Sequence, residues 1–362
     1  MRSTPTRSGK RRRTRSSPVS WSIFTTATSI CFAIPAPSPR ERPASKRRQR
    51  QRRQRQNPDI KESEERMELT PENMRNLYYA FNAYLQKGLG GGWTDWTKYC
   101  SVINSATLIE KYPMTVISGG MREWVGERVI NEIAGKMFEV VNKDFEHTEG
   151  VSRNDIEDDN IGFYQALFTE MGLNAANLWA ELSVKALTET GKWADGVNFF
   201  SASRKIGKTT INNVVSGALS VANYEAARSQ MMQFCKPDKT PLGLIPDTLM
   251  VGPTNENTAR KILKAELVVE NGTTVSNIHK DECEILVNPY LVGSHAGKWY
   301  LLNTRRGIKP LVVQKRKVGA LQRWDKDSDT CVKDKNRCEY GLHYRGAAAL
   351  IAPQLIIGGN LG

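Results

Sequence analysis

Residues 151–188, VSRNDIEDDNIGFYQALFTEMGLNAANLWAELSVKALT, join a short acidic run to the longest helical pattern in the chain. From Ile161 onward, Phe163, Leu167, Met171, Ala175, Leu178, Leu182 and Leu187 recur three to five residues apart, which lays one apolar stripe along a helix. Gly172 interrupts the stripe and Gly191 supplies a stop. Upstream, residues 143–160 hold seven carboxylates against two basic residues. So long a polar stretch between structured parts predicts a functional loop or a hairpin arm.

Working outward, Thr70-Pro71-Glu72 has the chemistry of a helix start: an N-cap hydroxyl, proline at the first position and an acid in the first turn. A helix to about Lys87 puts Met74, Leu77, Tyr78, Phe81 and Leu85 on one face, and the glycines from Gly88 to Gly92 end it. Residues 136–141 read as a strand. Residues 246–253, with Leu249, Met250 and Val251, read as a buried strand, after which Thr254 caps a short helix to about Leu267. Further strands are expected at 284–287, 298–303, 310–318 and 338–342. Residues 347–361 form an apolar tail that must be docked, since an exposed run of that kind aggregates.

Charge divides the chain. Residues 1–66 carry 18 Lys/Arg against 5 Asp/Glu, a net of +13, whereas residues 67–362 carry 34 against 33, a net of +1. The Arg/Gln/Ser/Pro-rich front cannot bury enough apolar surface to offset its ordering entropy, so a disordered basic segment is expected. An arm that neutralises nucleic-acid phosphates is one reading. The other is an over-extended reading frame: the purine-rich codons of Glu64-Glu65-Arg66 before Met67 suit a ribosome-binding site, and translation is expected to start at Met67. The apolar stretch 19–34 is diluted by hydroxyl residues, crowded by Pro35, Pro37 and Pro39, and followed by a second basic run, all of which argue against a signal peptide. No run reaches 18 consecutive apolar residues, so no membrane partner is expected.

Motifs for chemistry are sparse. The six cysteines lack a CxxC or a regular framework, which favours reduced thiols. Cys331, Cys338 and His343 have the wrong spacing for zinc and no fourth ligand. Asp155 to Asp159 lacks the alternating ligands and turn glycine of a calcium loop. Gly207-Lys208-Thr209 resembles the end of a phosphate loop, but Ala202 stands where its first glycine belongs. No catalytic residue, cofactor or metal is expected, and the enzyme reading, a nucleotide-binding protein using 203–210, is the weakest rival. Residues 304–326 hold eight Lys/Arg and one Asp, a basic strand edge suited to nucleic acid, to an acidic neighbour or to blocking sheet aggregation.

Several stretches in series resemble the major head subunit, gpT, of Mu-like phages and prophages. They are REWVGER at 122–128, FE at 145–146, VSRNDIEDD at 151–159, NFF at 198–200, WYLLNT at 299–304, IKPL at 308–311, YG at 340–341 and RG at 345–346. After Phe200 this chain departs from the family, with Ser-Ala-Ser-Arg-Lys. The resemblance implies an α+β, HK97-like major capsid fold. Residues 67–120 would form an N-terminal arm, 121–192 an extended loop and a peripheral domain with a long spine helix, 193–295 an axial domain, and 296–362 returning strands and the docked tail. The acidic 143–160 segment would be the extended loop or its edge. The implied function is a structural one: self-assembly into an icosahedral shell around double-stranded DNA, in the bacterial cytoplasm, with scaffold, protease and portal as partners. Asp155, Glu157, Asp158 and Asp159 are the expected acidic side of a subunit contact, and Arg305, Arg306, Lys315 and Arg316 its basic side.

Overall fold

The computed structural model describes residues 67–113, 137–158, 160–206, 209–236, 239–270 and 272–361. The basic front, the REWVGER motif, Asp159 and Lys208 lie outside them.

Helix α1 (Pro71–Leu89) begins as its sequence dictates. Thr70 accepts a hydrogen bond from the Asn73 amide at 3.2 Å, Pro71 needs no donor there, and Glu72 sits at the positive end of the helix dipole. Its buried face (Met74, Leu77, Phe81, Leu85) packs against the long helix α3, defined below. A four-residue helix, α2 (Trp96–Tyr99), leads into β1 (Cys100–Asn104). Next come β2 (Ile109–Pro113) and β3 (Met137–Val141), an antiparallel ribbon running from the Ile109–Val141 pair to the Pro113–Met137 pair.

The acidic segment, expected to be a functional loop or a hairpin arm, forms a strand, β4 (Lys143–Ser152), followed by a single helical turn at Arg153–Glu157. Asp144, Glu146 and Thr148 point to solvent, while Phe145, His147, Glu149 and Val151 share the more covered face. This period of two marks a half-buried strand, which the overall polarity of the segment concealed.

Helix α3 (Tyr164–Thr188) follows, about 38 Å of helix at 1.5 Å per residue. Gly172, which breaks its apolar stripe, is where α1 crosses it. A Cβ there would overlap the Leu85 carbonyl oxygen, and a Cβ on Gly88 would overlap that of Thr169. The two helices meet backbone to backbone. Phe81 stacks on Phe168 at 4.1 Å, and both rings meet Tyr340 edge-on.

That tyrosine belongs to β15 (Arg337–Leu350), the long strand of the first sheet. One edge of β15 pairs with β13 (Leu311–Val318) and with β14 (Gln322–Trp324), and the other pairs with β4 from Arg337–Ser152 to Gly346–Lys143; β1 lies parallel to β13 at the edge. The strand expected at 338–342 therefore runs eight residues further, into the expected tail. Gly346 and the alanines at 347–349 have little strand preference, yet their small size lets the Trp179 ring lie against the sheet at Gly346.

The second sheet has the order β11 (Glu284–Val287), β8 (Thr248–Val251), β12 (Trp299–Leu302), β16 (Ile356–Gly359), β7 (Val214–Val215). Strands β8 and β11 are parallel, as are β16 and β7, and β12 runs antiparallel to both of its neighbours. Strands β8, β12 and β16 are buried along their whole length, which explains their unbroken apolar runs. Strand β16 is thus an interior strand, not a tail laid on the surface. Flanking elements are α4 (Val221–Met232) and α5 (Glu256–Leu263). A short 3-10 turn at Pro253–Asn255 precedes α5, so Thr254 lies inside that turn rather than capping the helix, and Leu267 opens a hairpin, β9 (Leu267–Glu270) with β10 (Thr273–Ser276). The glycine-lysine motif lies between β5 (Arg204–Ile206) and β6 (Thr209–Ile211), a hairpin rather than the strand–loop–helix that a phosphate loop requires.

Candidate assembly surfaces

The β2–β3 ribbon is fixed at its root by a polar network. Gln314, fully buried in β13, donates to the Val140 carbonyl (3.1 Å) and to the Asn142 side chain (2.8 Å), and accepts from the Tyr112 hydroxyl (2.9 Å). Asn142 in turn donates to Ser105 Oγ and to the Thr107 carbonyl. Glu110 closes the turn, taking hydrogen bonds from the Ser105 and Thr107 hydroxyls and the Ala106 and Thr107 amides. The Ser105 and Thr107 hydrogen bonds hold its carboxyl below the usual range. Along the ribbon Leu108, Ile109, Met137 and Val141 keep 38–51% of their surface exposed, while Val140 is buried and Tyr112 and Phe138 are half-buried. Buried amides pinning an apolar, exposed arm make a surface that is positioned but not covered.

The expected acidic and basic contact residues are dispersed. Asp155 is engaged within its own subunit, accepting from the Tyr164 hydroxyl at 2.7 Å and so fixing the entry to α3. Glu157, 3.8 Å from Arg153, and Asp158 are exposed. On the basic side, Lys315 lies between the indoles of Trp96 and Trp179, its ammonium 5.1 and 5.0 Å from the ring centres, and burial holds its pKa down. It bridges α2, α3 and β13 and is not a free surface charge. Arg316 is partly covered on the same strand. Arg305 and Arg306 follow β12, in the other sheet; Arg305 is exposed, and Arg306 donates to the Leu242 carbonyl at 2.6 Å. The four cations therefore do not form one patch.

Two further pins were not legible in the sequence. Asp247 ends the loop before β8 and accepts from the Thr304 amide and hydroxyl, the Arg305 amide and the Thr248 hydroxyl, at 2.8–3.2 Å. It thereby locks the end of the WYLLNT stretch onto β8. Arg204, fully buried in the stretch where the chain departs from the family, pairs with Asp195, donates to the Asn198 and Phe199 carbonyls and lies 4.8 Å from the Trp193 ring centre. Among the described residues, no cluster of His, Cys, Asp and Glu has metal-site geometry, the five described cysteines are free thiols, and no helix is long and apolar enough to cross a membrane.

A helix-backed sheet crossed by one long helix, a two-stranded ribbon that precedes β4, and a second sheet of short strands are the parts expected of an HK97-like major capsid subunit. Within that class the chain belongs to the Mu-like prophage major head subunit gpT family, whose model matches residues 74–218, 210–291 and 292–360. It is 37% identical over 136 residues to the major capsid protein of Escherichia phage Mu, a match covering 37% of this chain and 45% of that protein. It is 25% identical over 279 residues to the Mu-like prophage FluMu major head subunit of Haemophilus influenzae, covering 76% of this chain and 70% of the relative. The matched stretch thus spans less than half the length of the Mu protein. Among solved structures, the procapsid of bacteriophage JBD30 aligns with 25% identity and a TM-score of 0.49, covering 80% of this chain and 75% of that one. A virus-like particle from Pyrococcus furiosus aligns with 12% identity and a TM-score of 0.45, covering 78% and 98%.

Proposed function

We propose that the protein is the shell-forming subunit of a phage head, many copies of which close into an icosahedral capsid around double-stranded DNA. The observation that carries this reading is the ribbon, an apolar arm anchored by Gln314, Asn142 and Glu110 on which Leu108, Ile109, Met137 and Val141 stay 38–51% exposed. A neighbouring copy supplies their cover. Closed shells need such heterologous contacts, repeated with rotation. Glu157 and Asp158 on one copy meet Arg305 and Arg306 on the next, where opposite charge sets register more than affinity. Assembly takes place in the bacterial cytoplasm, with scaffold, protease and portal proteins as further partners. Electron microscopy with light scattering on the full chain, purified alone and co-expressed with the other head proteins, tests this: rings, sheets or closed shells are expected, and a monomer under both conditions contradicts it. Charge reversal at Glu157 and Asp158 is expected to give misregistered particles; intact shells from that variant remove the pairing alone.

A further inference from the structure

A cleft of about 260 Å³ opens where three distant parts of the chain meet: the start of α1, the helical turn after β4, and the loop that follows β14. Its lining carries four cations, Arg75, Arg153, Arg323 and Lys326, against two aspartates, Asp325 and Asp327. The walls are fastened to one another. Arg153 Nη1 pairs with Asp327 at 2.9 Å, and the Arg153 amide donates to the Asn336 carbonyl at 3.1 Å. The Met67 amide donates to the Glu157 carbonyl at 3.1 Å, which ties the lead into α1 to that helical turn. The Lys326 amide donates to the Asp329 carboxylate at 2.9 Å, and the Asp329 amide returns a hydrogen bond to the Lys326 carbonyl at 2.8 Å. Arg323 lies over the Tyr78 ring, 5.1 Å from its centre. The cleft is therefore built before any partner arrives.

Three features of the cleft lack a counterpart among the described residues. Neither Arg75 nor Lys326 pairs with a carboxylate there, and both side chains are exposed. Asp325 has a side chain only 5% exposed, yet its Oδ2 accepts no hydrogen bond, and the cation beside it, Arg323 Nη1, stops at 3.5 Å. Burial raises the Asp325 pKa, as expected of a carboxylate short of donors. A buried acceptor of this kind calls for a donor. The third feature is an aliphatic wall, supplied by Leu69, Pro71 and Met74. A carboxylate for the free cations, an N–H for Asp325 and an aliphatic side chain for the wall occur together in an acidic stretch of polypeptide. The stretch must be extended, because a helix uses its own N–H groups. Nucleic acid fits worse: the two aspartates repel phosphates, and no aromatic ring among the described lining residues offers a base a stacking face.

We propose that this cleft docks an acidic, extended segment of a partner protein, with Arg75 and Lys326 taking its carboxylates, Asp325 a backbone N–H, and Leu69 and Met74 an aliphatic side chain. The site is separate from the shell contacts above and shares no residue with them. Calorimetric titration of the full chain with the peptide acetyl-Leu-Glu-Glu-Leu-amide tests it. Saturation below about 1 mM is expected, with acetyl-Leu-Gln-Gln-Leu-amide binding at least about tenfold more weakly. Combining Arg75→Ala with Lys326→Ala is expected to weaken the acidic peptide at least about tenfold. Both side chains are exposed, so the circular dichroism spectrum should not change. Combining Lys205→Ala with Lys261→Ala removes the same charge from exposed positions elsewhere and should leave binding at the wild-type level. No saturation, equal binding of the two peptides, or an equal loss in the two double variants overturns the proposal. Inorganic phosphate or a DNA duplex that displaces the peptide at equal concentration would make the cleft a general anion or nucleic-acid site, which overturns it as well. Assembly is scored separately, so a chain that forms shells without binding the peptide loses this site and keeps the shell reading.

Discussion

The two sheets of this protein are held in different ways. The first, β1-β13-β15-β4 under α3, is built from long elements whose side chains repeat at 2.0 or 3.6 residues, so its register follows from pattern and close packing. The second, β11-β8-β12-β16-β7, uses strands of two to four residues, collected from distant parts of the chain and pinned by single buried polar side chains: Asp247 before β8, and Asn213 before β7, which donates to the Pro353 carbonyl ahead of β16. Short, fully buried strands carry little register information of their own. The polar pins supply it.

That contrast is open to direct attack. The largest effect is expected at the helix crossing in the first region. Gly172→Leu forces a side chain into the Leu85 carbonyl, and a loss above about 4 kcal/mol, with misfolding, should appear in denaturant titrations. A Leu variant of wild-type stability would show that the helices do not cross there. Next is Asp247→Ala in the second region. It strands the partly buried donors of Thr304 and Arg305, and about 2 kcal/mol is expected, with hydrogen exchange rising in β8 and β12 and staying unchanged in β15. Equal loosening of both sheets would break the distinction between them. Smaller again is Thr70→Ala, which removes the α1 cap for about 1 kcal/mol in thermal unfolding.

The smallest effect is in pH. Burial works against a charged His279, but the hydrogen bonds of Glu225 and Glu282 prevail and raise its pKa above the ordinary histidine value. Its contribution is fully present below the unfolded pKa of about 6.5 and is lost as pH rises through the raised folded value. The change should stay below about 1 kcal/mol because the site borders solvent. Comparing melting temperatures between pH 6 and 9 for wild type and His279→Gln checks the sign. A variant with the same pH slope would contradict the pairing of His279 with Glu225 and Glu282.

The same contrast explains what the sequence reveals. Helix α1 with its Thr70 cap, helix α3, and strands β11 and β12 are legible because each carries a local period, a cap or an unbroken apolar run. Strand β4 is obscured by its acids and the end of β15 by alanines, since both depart from the usual strand composition while keeping strand register. Strand β16 reads as a greasy tail because nothing local reveals the two neighbours it pairs with. The site is less legible still. Asp247 looks like any loop aspartate after a proline, Arg204 looks like part of a solvated basic turn, and Lys315 looks like one more charge in a basic run, although two tryptophans enclose it. Asp247 and Lys315 act through residues 57 to 219 positions away, a separation that no local pattern encodes, and Arg204 acts through an irregular stretch 5 to 11 residues before it that carries no period. The family resemblance carried in short motifs is confirmed by the family match over residues 74–360.

The central claim, that this chain is a shell subunit, is tested most directly by cryo-electron microscopy of the purified full-length protein under conditions that drive association. The account predicts curved or closed particles in which each subunit's β2–β3 ribbon lies across a neighbour and the Leu108, Ile109, Met137 and Val141 side chains are covered. A protein that remains monomeric throughout, or particles in which the ribbon contacts no neighbour, would contradict it.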